Sequence, residues 1–311
     1  MPRVASSKRK HPVFVIGKNR SGTKWLSNIV ATHPRIVSVE RAKDGGIIET
    51  NVFSRMPVLF GDLRLFHNRI AFLKCFSLTK FFHYTQLDKE VLFARKYDNY
   101  YDFFRYLMDS YAEANESDFW VQKAPPEGLS SLLRHFPDAK FILIERAVIE
   151  NVRSTIGLRL MKCDTKFKIR LLSELFRWHH ASKILRNNSG RLNVLKIGFD
   201  DLRSRREETV RRVCDFIGVE FDPAMNSDRY AKNSSFRQGG VSVEQAMPKR
   251  RVIAIRLLIP VFRALPWVFY EILHRTRTRF RGPRWLAYSE STFVPGAYSF
   301  DYIDRDRDGT A

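Results

Sequence analysis

A chain of 311 residues that is 44% hydrophobic and 13% aromatic has enough apolar material for one large folded domain or two small ones, which argues against an intrinsically disordered protein. Its three cysteines, Cys75, Cys163 and Cys214, form neither a CxxC pair nor a disulfide framework, and this usage fits a reducing compartment. The formal net charge of +21 favours polyanionic partners without choosing among nucleic acid, an anionic membrane, and phosphate- or sulfate-bearing ligands.

Residues 1–11 read as a polar, basic tail with no apolar stretch, so neither a signal peptide nor an N-terminal anchor is expected. No run of about 18 apolar residues occurs, and a transmembrane helix is not expected. The location implied is cytoplasmic.

The first element is Val13-Phe14-Val15-Ile16, a short apolar run ending at Gly17 and expected to be a buried strand. A polar loop from Gly17 to Gly22 follows, then a helix from Thr23 to Ala31, then a second strand at Ile36–Val39. Strand, loop, helix and strand in that order begin a βαβ unit and a parallel sheet. Residues from about 50 to 115 are expected to be a helical insertion. Over 50–97 it interleaves Phe53, Phe60, Phe66, Phe72, Phe76, Phe81 and Phe82 with Arg55, Arg64, Arg69, Lys74 and Lys80, which reads as a basic, aromatic face. Residues 99–115 continue it as a helix with apolar positions at Phe103, Phe104, Leu107, Met108 and Tyr111. Strand patterning returns at Phe119–Val121 and is clearest at Phe141–Ile144. Helices are expected at Glu127–His135, 147–160 and 168–187, a strand at Leu192–Ile197, and an amphipathic helix from Arg205 to Ile217 stopped by Gly218. The α/β domain thus spans residues 12–248.

Residues 249–311 form a basic amphipathic extension. Between Lys249 and Arg284 ten Lys or Arg residues face one acid, Glu271. Pro260 and Pro266 are expected to interrupt any long helix, and Arg256 and Arg263 make crossing a bilayer costly. Two readings stand for residues 250–280: a helix lying on an anionic membrane surface with Phe262, Trp267 and Phe269 inserted, or one packing on the core.

The loop Gly17-Lys18-Asn19-Arg20-Ser21-Gly22-Thr23-Lys24-Trp25 joins the first strand to a helix N-terminus and so offers backbone N–H groups to a phosphate-like anion. Lys18, Arg20 and Lys24 add positive charge. Against a Walker A loop the glycine spacing fits, but the last two residues are swapped to Thr23-Lys24, and the strand at 141–144 runs into Glu145-Arg146 rather than an Asp. A nucleotide-dependent kinase and a basic nucleic-acid-binding protein are the competing functions. Against the second, no nucleic-acid-binding motif is present.

Arg20 to Leu26, RSGTKWL, resembles the first loop of the sulfotransferases that use 3′-phosphoadenosine-5′-phosphosulfate (PAPS), which reads R-S-G-T-[TS]-W-L. Phe141 to Ser154, FILIERAVIENVRS, resembles that family's strand followed by an Arg and, eight residues later, a Ser. Lys123-Ala124-Pro125, Phe136-Pro137-Asp138-Ala139-Lys140, Asp200-Asp201-Leu202 and Phe221-Asp222-Pro223 are similar to further family segments. Phe236-Arg237-Gln238-Gly239 is similar to a loop that closes over PAPS. The resemblance covers residues 12 to 245.

It implies a P-loop-like parallel sheet flanked by helices, PAPS as co-substrate, no metal, and an acceptor hydroxyl or amine. It also implies a PAPS site of Lys18, Asn19, Arg20, Ser21, Gly22, Thr23, Lys24, Trp25, Arg146, Ser154, Arg237 and Gly239. Within it, Arg146 and Ser154 contact the 3′-phosphate. Arg20, where many cytosolic members have Lys, and Lys24 stabilise the sulfate and the leaving phosphate. Lys123 contacts the transferring group. Glu40 is the expected base, with Glu49 the second choice. The acceptor is not readable from the sequence, although a membrane-docked enzyme points to a lipid, glycolipid or glycan.

Overall fold

The computed structural model describes residues 10–41, 46–50, 52–156, 164–227 and 249–266. In chain order its elements open with β1 (His11–Ile16), α1 (Thr23–Ala31), β2 (Ile36–Val37) and a small hairpin of β3 (Glu40–Arg41) and β4 (Gly46–Ile47). The insertion follows as α2 (Met56–Phe60), α3 (Phe66–Ser77), α4 (Lys80–Thr85), α5 (Glu90–Phe93) and α6 (Tyr100–Ala114). Next come β5 (Phe119–Ala124), α7 (Leu129–His135), β6 (Lys140–Glu145), α8 (Val148–Ile156) and α9 (Asp164–Asn188). Then β7 (Val194–Gly198), α10 (Phe199–Ser204), α11 (Arg206–Ile217) and α12 (Lys249–Ala264) complete the list.

Five strands form one sheet in the order β2-β5-β1-β6-β7, with every neighbouring pair parallel. The strands are apolar on both faces because helices cover both sides. Successive side chains of β1 alternate between the two layers. Val13 and Val15 pack with Ile142, Ile144 and residues of α1 and α11, while Phe14 and Ile16 pack into an aromatic layer with Trp120, Phe136 and Phe141. The Phe14 ring lies 5.0 Å from Phe136 and 5.4 Å from both Trp120 and Phe141, which fixes the register of the central strands around one residue.

The insertion turns most of its rings inward, with Phe66 and Phe93 left exposed. Phe72 and Phe76 meet Phe103 of α6 edge-on at 4.7 and 4.9 Å, and Phe81 and Phe82 are buried in the same layer. Arg64 and Lys74 remain at the surface, and Arg69 is buried, donating to the Leu63 carbonyl at 3.2 Å. The basic, aromatic face expected from sequence therefore separates largely into an aromatic core side and a charged outer side, the exceptions being buried Arg69 and the exposed Phe66 ring 5.7 Å from its guanidinium. Apolar area of this kind stabilises by roughly 25 cal/mol per Å², so rings of this size face the core whenever a helix allows it.

Local signals set the element ends. Asn99 caps α6 by accepting from the Tyr101 and Asp102 amides, and Gly218 ends α11 in the left-handed region at φ 91°. Cys214 is a buried core residue of α11. One expectation fails: α12 runs straight through Pro260 and stops before Pro266. Pro260 and Arg256 are both exposed, so the Arg256 carbonyl that loses its helical donor is open to water. The inner face of α12, with Val252, Ile255, Leu258, Ile259 and Phe262, packs on Val148, Val152, Leu171, Leu175 and Trp178 of α8 and α9. Among the described residues no helix is long and apolar enough to cross a membrane.

Candidate functional site

The parallel sheet collects the carboxyl ends of its strands at one edge, which is where ligands of such sheets bind. The loop 17–22 leaves β1, Lys123 is the penultimate residue of β5, Arg146 follows β6, Phe199 follows β7, and Glu40 lies three residues beyond β2. Most of the sequence-predicted site is therefore brought to this edge by topology alone.

The loop can take only glycine at its two ends. A Cβ at Gly17 would sit 2.5 Å from the Ile144 carbonyl, and Gly22, at φ 91°, would drive one to 2.6 Å from the Phe199 ring. Between them Arg20 adopts φ 72°, a left-handed conformation that a non-glycine residue holds only under constraint. Gly22 caps α1, whose first turn carries no acid, so the helix dipole and the loop amides favour an anion.

Arg20, Arg146 and Ser154 converge. Arg20 Nε donates to Ser154 Oγ at 3.1 Å, and Arg146 Nη1 approaches the Arg20 carbonyl at 3.4 Å. The Arg146 guanidinium also lies over the Phe199 ring at 4.2 Å and is 3.5 Å from Glu150 Oε2. Trp178 Nε1 donates to the Arg146 carbonyl at 2.9 Å and fixes the turn between β6 and α8. Trp25 meets Phe199 edge-on at 5.9 Å, so an aromatic wall stands beside the loop. A cavity of about 640 Å³ flanks Arg146, lined by Glu145, Trp178, Ser182, Arg186, Lys196 and Gly198, with Lys196 and Glu145 paired at 2.7 Å.

On the other side of the loop Lys123 forms an ion pair with Glu49, its side chain largely buried and that of Glu49 exposed. Lys123 pairs in register with Val15, two residues before Gly17. Glu40 faces Ile47 across the hairpin and accepts from Ser38 Oγ at 2.8 Å. Tyr111 donates to the Ser38 carbonyl at 3.2 Å, and burial followed by the Glu40 charge holds its hydroxyl above the usual tyrosine pKa. Glu40 thus lies in the hairpin and Glu49 two residues beyond its second strand, and Asn28 of α1 ties the hairpin down by accepting from the Ile47 amide at 3.0 Å. Ser21 and Thr23 are buried in the loop and helix start, and Asn19 is exposed; Lys24 is half-buried in the first turn of α1.

Lys18 departs from its expected place among the loop's anion-facing cations. Its ammonium is buried and bonds to Glu174 Oε2 and Asn151 Oδ1, each at 3.0 Å. Burial pulls its pKa below the ordinary lysine value against the raising pull of Glu174. Arg237 and Gly239 lie outside the described residues, as do Cys163, Trp267 and Phe269.

Sequence reasoning missed Asn151, Glu174 and Phe199. Each breaks a local rule: Asn151 and Glu174 are polar residues among apolar neighbours of α8 and α9, and Phe199 is a bulky ring directly after a strand. His179 and His180 are packing residues, buried beside Phe262 and Phe176 with ring centroids at 5.7 and 6.4 Å.

The family model described as "Sulfotransferase family" matches residues 12–223, more than half of the chain. The chain belongs to the sulfotransferase family. No curated protein matches this sulfotransferase in sequence. Among solved structures it is similar to the sulfotransferase domain of the Synechococcus PCC 7002 olefin synthase, with TM-score 0.48, 20% identity, and coverage of 85% of this chain and 99% of that one. The sulfotransferase domain of the curacin biosynthetic pathway gives 0.46 and 16%, covering 78% and 84%. Mouse sulfotransferase SULT7A1, complexed with PAP, gives 0.45 and 10%, covering 87% and 90%. The assignment stands on the family match.

Proposed function

We propose that this sulfotransferase takes its sulfuryl group from PAPS and passes it to a hydroxyl of a lipid, glycolipid or membrane-proximal glycan. The observation that carries the donor reading is the convergence of Arg20, Arg146 and Ser154 beside a glycine-bounded anion loop. Two guanidinium groups and a hydroxyl suit the phosphates of a 3′,5′-substituted nucleotide, because Arg binds phosphate bidentately. Trp25 and Phe199 offer an aromatic surface next to them for a nucleobase.

In the reaction a base takes the acceptor O–H proton and the acceptor oxygen attacks sulfur in line. The sulfur–oxygen bond to the 5′-phosphate breaks, releasing 3′-phosphoadenosine-5′-phosphate (PAP). Lys123 contacts the transferring group, while Arg20 and Lys24 stabilise it and the leaving phosphate, as preorganised cations do where charge develops. Glu40 is the base, with Glu49, already paired to Lys123, as its competitor. Arg237 and Gly239 are assigned to closing over the donor. The amide groups of Asn19, Ser21 and Thr23 line the anion site, and the Lys18 backbone shapes it. Nucleic acid is not a partner in this reading.

The membrane part of the proposal rests on α12. Its core-facing residues are committed to α8 and α9, yet Ile253, Leu257 and Val261 are exposed at i, i+4 and i+8, one stripe on the opposite side. Residues 249–266 hold five Lys or Arg and no acid, which suits an anionic bilayer and supports a location at the cytoplasmic leaflet. The test is PAP release from PAPS on vesicles of anionic phospholipid with and without hydroxylated glycolipid. Turnover that requires the glycolipid supports the acceptor class, and turnover unaffected by any lipid contradicts it.

A further inference from the structure

The loop is gripped from below by a buried cluster that the reaction itself does not use. Asn151 of α8, fully buried, makes three hydrogen bonds to the loop through its carboxamide. Its Nδ2 donates to the Asn19 carbonyl at 3.1 Å and to Ser21 Oγ at 3.0 Å, while its Oδ1 accepts from Lys18 Nζ at 3.0 Å. Lys18 is in turn anchored to Glu174 of α9, whose second oxygen accepts from Arg177 at 3.0 Å.

The pattern of these contacts is specific to a primary carboxamide. One acceptor and two donors meet an ammonium, a carbonyl and a hydroxyl, a set that neither Asp nor Leu can satisfy. The contacts also bracket Arg20, since Asn151 holds the residues immediately before and after it. Arg20 is the loop residue in the left-handed conformation at φ 72°. Such backbone strain persists only where surrounding contacts over-determine it. Three residues after Asn151, on the same side of α8, Ser154 receives the Arg20 side chain at 3.1 Å.

We propose that Asn151, backed by the Lys18–Glu174 pair, is a positioning residue that holds the strained loop so that Arg20 points at the transferring group. The proposal rests on the donor reading above. It makes α8 a single device that fixes the loop backbone through Asn151 and receives the Arg20 side chain through Ser154.

The test is calorimetry of PAP on wild type, Asn151→Leu, Arg20→Ala and the double variant, with a thermal melt of each. In the donor reading Arg20 faces the leaving 5′-phosphate that PAP retains, and a lost charge-assisted phosphate contact costs about 10- to 100-fold, so Asn151→Leu is expected to weaken PAP within that range. The cost of Arg20→Ala should largely vanish in the Asn151→Leu background, because a released Arg20 has little left to lose. Wild-type affinity in Asn151→Leu, or additive losses in the double variant, would overturn the proposal. If Asn151→Leu does not fold, Asn151→Asp, which keeps the shape and the acceptor for Lys18 but loses both donors to the loop, carries the same cycle. A wild-type protein that ignores PAP contradicts the donor reading instead, so the two failures are distinct.

Discussion

Arg20 donates its Nε–H to Ser154 Oγ across 3.1 Å, joining the loop after the first strand to a helix 134 residues later in the chain. That contact brings together two motifs that look independent in sequence. Arg146 closes the triangle through the Arg20 carbonyl. The consequences are experimental.

Two glycines with the same backbone angle should behave differently. Gly22 and Gly218 both sit at φ 91°, but a Cβ at Gly22 would meet Phe199 at 2.6 Å, whereas one at Gly218 meets nothing within 4 Å. Gly218→Ala is expected to cost about 1 kcal/mol of stability with donor binding intact, and Gly22→Ala about 2–3 kcal/mol or more with donor binding lost. Denaturant titration and PAP binding on both variants measure the difference.

The general base is separable by substitution at the hairpin. Glu40→Gln keeps an acceptor for Ser38 Oγ, so the fold should survive while kcat falls by about 10²- to 10⁴-fold. Glu49→Gln breaks the Lys123 ion pair and should change kcat less while raising KM for the donor. A reversed pattern in steady-state kinetics would move the base to Glu49.

Much of this arrangement was legible in the sequence, and the reason is local. The apolar run Val13–Ile16 and the Gly17 that ends it are short-range patterns that physics reads directly, whereas Arg146 and Ser154 are singled out by the family resemblance. The strand between Phe141 and Ile144 and the Gly218 stop emerge from the same rules. Asn151 and Glu174 were not legible, because their partner Lys18 is 133 and 156 residues away and only packing of α8 and α9 brings them together. The basic, aromatic face expected of the insertion does not persist as one face, because Phe72, Phe76, Phe81 and Phe82 are buried by tertiary contact while Arg64 and Lys74 stay outside.

Membrane docking is testable without disturbing the core. Truncation before α12 would uncover Val152 and Leu175, so the cleaner variant is Leu257→Glu on the outer face, whose partner in the exposed stripe is Ile253. Wild type should sediment with anionic vesicles in a salt-dependent manner, and Leu257→Glu should lose most of that binding with an unchanged melting temperature. Equal sedimentation of the two proteins would contradict the docking surface.

Cys75 and Cys214 should resist alkylation in the native state. Burial pushes both thiols up to about 11 from an ordinary value of 9.0, so near pH 8 the reactive thiolate is depleted about 100-fold relative to the unfolded chain. The sign matters for stability as well: above about pH 9 the unfolded chain sheds protons that the folded one keeps, and folding weakens as pH rises toward 11. Mass spectrometry after iodoacetamide at pH 8, with and without denaturant, should find both residues labelled only when unfolded.

The central claim is that Arg20, Arg146 and Ser154 form the donor nucleotide site, and calorimetry tests it most directly. PAP, ATP and AMP are titrated into wild type and Arg146→Ala. Selective binding of PAP, weakened about 10- to 100-fold by Arg146→Ala as expected for a lost charge-assisted phosphate contact, is the expected result. Equal binding of ATP and PAP, with no effect of Arg146→Ala, would contradict it.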